Sequence, residues 1–208
     1  MVPVARGYAP TVAVHEEHFS DVDWYGEELA DRSFVECTFT DCDLTEARSK
    51  GGSFDRCEFR GVRFNASVHE ASSFTGCLFQ RTSFFSAVLR GCKFTGSRFI
   101  ESKLRPLTVE GGKWSYTSLR GADLRDLDLS HVSFEEADLA DANLGKVRLV
   151  GADLTRATLR NAVLDDADLT AADLSGVDLA GLAWRRTKVD SMQALLIAEA
   201  QGVIVDDG

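Results

Sequence analysis

The chain has 208 residues, 33 Asp and Glu against 23 Lys and Arg, a net charge of -10, and 44% apolar residues. So large an acidic excess repels phosphate, which argues against direct nucleic-acid binding and leaves a basic partner or plain solubility. No run approaches the roughly 18 apolar residues of a membrane span, and no apolar stretch of the signal-peptide kind follows Arg6, so the expected location is the cytoplasm, with no membrane contact.

Residues 1–15 lack the pattern that governs the rest and read as a flexible lead. From Phe19, every fifth residue to Val189 belongs to one register of 35 positions. Of these, 33 are apolar, the exceptions being Ser49 and His69, and all three Trp and 12 of the 13 Phe fall on it, Phe85 being the outsider. A step of five would circle a helix at about 140° per step and would alternate the faces of a strand. The chain must therefore turn a corner in every repeat. The pattern predicts an all-β, right-handed quadrilateral β-helix over residues 16–190, in which coils bury by stacking what none can bury alone.

The position two before each centre is small (Ala47, Ser67, Ala122, Ala157), as a second inward site beside a corner requires. Glycines two after the centre, such as Gly61 and Gly121, suit a turn residue with positive φ. With 20 residues per coil, Phe19, Phe39, Phe59, Phe79 and Phe99 form one column and Ser49 and His69 become neighbours. A 15-residue, three-sided coil separates those two, so the sequence favours four sides. About nine coils at a strand spacing of about 4.8 Å give a rod about 42 Å long.

Cys37, Cys42, Cys57, Cys77 and Cys92 all occupy the small inward position and read as buried hydrophobes, not as disulfides or a metal site. His69 reads as a solvated flaw or a place where the wall loosens. No nucleophile–base pair, phosphate loop or metal motif is present, so no catalytic residue, metal or cofactor is expected.

Residues 191–208 form a different element. Asp190-Ser191 is a helix start and Gly202 a stop. The apolar set between them is too wide for one stripe. One face covers the last coil, and the rest, with Trp184, Met192, Leu195, Leu196, Val203 and Ile204, predicts a two-fold homodimer through the C-terminus.

Charge is banded along the chain: net -7 over residues 1–80, +6 over 81–120, -8 over 121–181 and -1 in the tail. The third band is expected to carry partner binding through Asp123, Asp126, Asp138, Asp141, Asp153, Asp165, Asp166, Asp168, Asp173 and Asp178.

Units such as Gly121-Ala122-Asp123-Leu124-Arg125 and Ala167-Asp168-Leu169 resemble the A(D/N)LXX motif of pentapeptide-repeat proteins over about residues 17–190. The stretch Lys103-Leu104-Arg105-Pro106-Leu107-Thr108-Val109, the ending Val189-Asp190-Ser191-Met192-Gln193-Ala194 closing on Gly202, and Leu44-Thr45-Glu46-Ala47 before Ser49 are similar to the MfpA-like branch, which with the Qnr proteins forms one group. That resemblance implies a dimeric four-sided β-helix whose acidic surface mimics duplex DNA. It implies DNA gyrase, a type II topoisomerase, as the partner, which is inhibited or shielded so that fluoroquinolones kill less. The basic band at 81–120 departs from a uniform mimic, and the unbroken register leaves no place for the long loops of some Qnr proteins. The competing reading is an interaction scaffold, or a partner of a small regulatory GTPase, with no topoisomerase role.

Overall fold

The computed structural model describes residues 13–205 and is a parallel β-solenoid of four walls. Residues 1–12 of the expected lead lie outside the described residues. Val14 already pairs with Phe34 and His15 with Val35, so the ladder begins within the span assigned to the lead.

Every pairing is parallel with a step of 20. The first wall stacks Val14–His15, Ser33–Val35, Ser53–Asp55 and Ser73–Thr75. The second stacks His18–Ser20, Thr38–Thr40, Glu58–Arg60, Leu78–Gln80 and Arg98–Ile100. The fourth stacks Arg48–Lys50, Val68–Glu70, Ala87–Arg90 and Leu107–Glu110. The third is built from isolated bridges, Asp23 to Asp43 to Arg63 to Ser83 to Lys103. Regular strands thus make about five turns instead of the nine coils expected. Beyond Glu110 the walls continue as single bridges at the same step, as far as Asp168 with Lys188.

The change has a physical cause in the corners. In the later coils the central carbonyl accepts the N–H three residues on, as Leu119 does from Ala122 and Leu139 from Ala142, and that closes a turn instead of extending a strand. Among the strands the same carbonyl is met from the next coil. The thiols of Cys57, Cys77 and Cys92 donate to the carbonyls of Phe34, Phe54 and His69 at 3.5, 3.3 and 3.2 Å, and the Ser97 hydroxyl donates to that of Phe74. The small inward position therefore mostly holds a donor where the preceding coil is extended, with Val62, Gly112, Ala122 and Val132 as exceptions, and mostly alanine where it is turned. All five cysteines are free and buried. Burial pushes the Cys92 thiol up to about 11, so it stays protonated and keeps its donor.

Phenylalanines fill the first five coils as face-to-face columns. Phe39–Phe59 and Phe54–Phe74 lie 4.8 and 4.7 Å apart at 10° and 1°. Past Trp114, leucine and alanine take over. Positive φ occurs at corner after corner and is not reserved for glycine: Glu36, Arg56, Asp126 and Asn161 adopt it too. Gly112 is a true steric requirement, because a Cβ there would collide with the Cys92 carbonyl.

Ser49 and His69 pair across the fourth wall and are buried. Ser67 donates its hydroxyl to the Phe64 carbonyl at 2.7 Å and so accepts from His69 Nε2 at 3.1 Å. That leaves Nδ1 to accept from the Ser49 hydroxyl at 2.6 Å, and the Ser49 oxygen in turn lies 2.7 Å from the Ser72 hydroxyl. The ring is enclosed and its nitrogens are satisfied, so it is neither a solvated flaw nor a loosened wall. Burial lowers its pKa to about 4, so it is neutral at pH 7.

Candidate binding surface

The core leaves the function to the outer faces. Two shallow, open hollows of about 380 and 300 Å³ lie between surface side chains. Among the described residues no cluster of His, Cys, Asp and Glu is placed to hold a metal, and no helix is long and apolar enough to cross a membrane.

The ten predicted carboxylates all point outward, but onto different walls. Asp153 and Asp173 lie on the first, Asp138, Asp141 and Asp178 on the second, Asp123, Asp126, Asp165 and Asp166 on the third, and Asp168 on the fourth. Six of them shape the fold. Asp123, Asp138, Asp153, Asp168, Asp173 and Asp178 each accept the backbone N–H two residues on, at 2.9 to 3.3 Å. This is an Asx turn at the corner. Asn143 does the same for Gly145, which explains why the motif admits Asp or Asn: the amide or carboxylate oxygen is needed there, not the charge.

Most of the band is also neutralised locally. Arg105 bridges Asp123 and Asp126, Arg120 spans Asp138 and Asp141, Arg186 holds Asp166 and Lys188 approaches Asp168 at 3.7 Å. These four cations lie outside residues 121–181 and halve the segment's net charge of -8. Arg125 and Arg105 hold the Asp123 carboxyl far below the usual carboxylate range. Asp153, Asp165, Asp173 and Asp178 have no cation within 4.0 Å among the described residues. The third wall with its corner carries seven carboxylates and seven cations, so no uniformly acidic face runs along it.

The first coils are less compensated. Asp21, Asp23, Asp31, Asp41 and Glu46 have no ion pair among the described residues. Arg63 answers Asp43 at 2.7 Å and lowers it to about 2. Sequence counting misses this contrast because it assigns charge by position, whereas ion pairs form mainly one coil, about 20 residues, away.

The C-terminal helix Ser191–Ala200 begins with a capping box between Asp190 and Gln193. Its grip on the solenoid is largely polar, with Ile197 packed against the core beside it. Gln193 donates to the carbonyls of Leu169 and Ala172 at 2.8 Å each, and Gln201 donates to those of Leu179 and Ala180 at 3.2 and 2.9 Å. Both glutamines escaped the sequence reading, which looked for apolar cover. Met192, Leu196, Val203 and Ile204 are exposed, Leu195 is half-buried, and Trp184 packs partly against the core.

Eight copies of the pentapeptide-repeat model match this chain, over residues 70–105, 117–156 and 148–181. The trypsin-treated form of QnrB1, a plasmid-mediated fluoroquinolone resistance protein, superposes with a TM-score of 0.83 at 21% identity, covering 94% of this chain and 98% of that one. Full-length QnrB1 gives 0.71 at 18%, covering 92% and 100%. HetL, a pentapeptide-repeat protein of the cyanobacterium Nostoc involved in heterocyst differentiation regulation, gives 0.50 at 18%, covering 85% and 86%. These likenesses show the fold. No curated protein matches the sequence.

Proposed function

Because the chain is a pentapeptide-repeat protein, we propose that it binds DNA gyrase, a type II topoisomerase, as a non-catalytic partner that stands in for duplex DNA and shields the enzyme from fluoroquinolones. The observation that carries this reading is the end-to-end match with QnrB1, which spans 98% of that chain and so gives a rod of the same extent. The carboxylates left without cations supply the charge, chiefly Asp165, Asp173 and Asp178 in the later coils and Asp21, Asp23 and Asp41 in the first. A homodimer through Met192, Leu196, Val203 and Ile204 sets the later group at its centre. A general protein scaffold is the second reading. The balanced charge of the third wall favours it, since a protein partner can match mixed signs and a DNA-binding groove cannot.

The test is gyrase supercoiling with the purified protein. Two variants run beside it, Asp165→Asn with Asp173→Asn and Asp178→Asn, and Asp21→Asn with Asp23→Asn and Asp41→Asn. Asparagine keeps the Asx turns and removes only charge. Inhibition by the parent at micromolar concentration, weakened by the later set, is the expected result. Activity lost only with the early set moves the contact to the tips. No inhibition by the parent ends the gyrase reading.

A further inference from the structure

The basic band over residues 81–120 opposes DNA mimicry and is not absorbed by that reading. Five of its eight cations, Arg81, Lys93, Arg98, Lys103 and Lys113, have no carboxylate within 4.0 Å among the described residues. Three of them flank the first wall, Lys93 and Lys113 just before its centres Phe94 and Trp114, and Arg98 at the start of the second wall. Lys93 and Lys113 are direct neighbours across a parallel bridge, and Arg98 lies just past the corner, bridged to Ser118. All three are exposed. Like charges side by side on a sheet repel, and among the described residues no carboxylate within 4.0 Å offsets these.

Most nearby carboxylates are already engaged, Glu110 among them by Arg90, whereas exposed Glu101, three residues past Arg98, has no ion pair among the described residues. Arg156 holds Glu135 and Glu136 at 2.9 and 2.7 Å, and Arg120 holds Asp138 and Asp141. Two apolar side chains stand beside the cations, Tyr116 at the corner, 53% exposed, and Ile100 on the second wall, 41% exposed. The margins are bare. A Cβ at Gly91, Gly96 or Gly111 would meet nothing within 4 Å. The backbone does not demand glycine there, since Glu36, Arg56 and Tyr116 take the same positive φ at equivalent corners.

We infer that this wall, with the corner that ends it, is a docking site for an extended acidic segment of another protein, with its carboxylates on Lys93, Lys113 and Arg98 and an apolar side chain against Tyr116 and Ile100. Charge complementarity selects the sign, and Tyr and Arg are among the side chains that most often anchor a binding hot spot. Size selects the class. The band is two coils deep, about 10 Å at the strand spacing, with net -7 and -8 on either side. A peptide strand fits within it. A duplex, with grooves about 12 and 6 Å wide, would overlap both acidic flanks. The site is independent of the gyrase reading and uses none of its residues.

The probe is a fluorescent twelve-residue peptide of alternating Glu and Leu, titrated by anisotropy at low salt. A serine peptide, Ser replacing Glu, and a short DNA duplex are the other arms. Saturable binding of the acidic peptide, weakened about tenfold or more by Lys93→Ser with Lys113→Ser and Arg98→Ser and further by Tyr116→Ala, supports the site. Unchanged circular dichroism of the variants excludes unfolding as the cause. No binding by the parent protein, equal binding by parent and triple variant, or tighter binding of the duplex or the serine peptide would each overturn it.

Discussion

Phe59→Ala tests the register at its most enclosed point. Phe59 has no exposed surface and is stacked between Phe39 at 4.8 Å and Phe79 at 4.9 Å, within 10° of parallel to each. Its edges also meet Phe54, Phe64 and Phe74. Truncation of a buried phenylalanine costs about 3–5 kcal/mol. Loss of two stacked partners, each adding about 0.5–1.5 kcal/mol beyond buried area, places this site at the upper end. At about 2–4 °C per kcal/mol for a chain of this size, melting falls by roughly 10–15 °C. A solenoid need not melt in one step, so the assay follows Trp24, in the same aromatic stack, with Trp114 and Trp184 changed to Phe. The control is Phe85→Ala, off the register and 53% exposed, with an expected cost below about 0.5 kcal/mol. A drop of only a degree or two for Phe59→Ala, or an equal drop for Phe85→Ala, would refute the assignment of inside and outside.

Cys57→Val strips the donor from the Phe34 carbonyl and should cost about 1–3 kcal/mol, whereas Cys57→Ser keeps a donor and should cost less; equal losses by chemical denaturation would remove the thiol's assigned role. His69 is neutral in the folded chain down to about pH 4 but takes a proton near pH 6.5 when unfolded. Stability should therefore fall as pH drops through that window, by up to about 3 kcal/mol, and His69→Leu should flatten the curve there; parallel curves for the two proteins would count against it. Met192→Asp with Leu196→Asp should turn a dimer into a monomer by light scattering without changing the far-ultraviolet spectrum, and a dimer that survives both changes would place the interface elsewhere.

The inward register was legible because it depends on one simple property, an apolar side chain every five residues, and Phe34, Phe59 and Leu154 all sit where that rule puts them. The Ser49–His69 neighbours were legible for the same reason, since a 20-residue step brings them together. Their hydrogen bonds were not, because Ser67 and Ser72 looked like ordinary small residues. The strand-to-turn change after Glu110 was written in the sequence as cysteine and serine giving way to alanine. Size alone was read there, and the donor chemistry was the missing half. At the surface the ten aspartates were read as charge, whereas Asp123 and Asp138 are corner caps that also sit in ion pairs.

The reason lies in the lattice the solenoid imposes. Each outward residue has its nearest cross-coil neighbours about 20 positions away, so Arg56 finds Glu36, Arg63 finds Asp43 and Arg156 finds Glu136. Exposed pairs of this kind add little stability, about 0–1 kcal/mol each, but they cancel field locally. What a partner meets is the residue of charge left after this pairing. That residue is negative in the first coils, where Asp21, Asp23 and Asp41 have no cation among the described residues, and positive along the first wall at Lys93 and Lys113 and past its corner at Arg98. The coil spacing of about 4.8 Å is well inside the Debye length of about 8 Å, so shifting one cation by a single coil changes which patch survives. A rigid core with interchangeable surface residues thus lets the same fold present acidic, basic or neutral ground without any change in its interior.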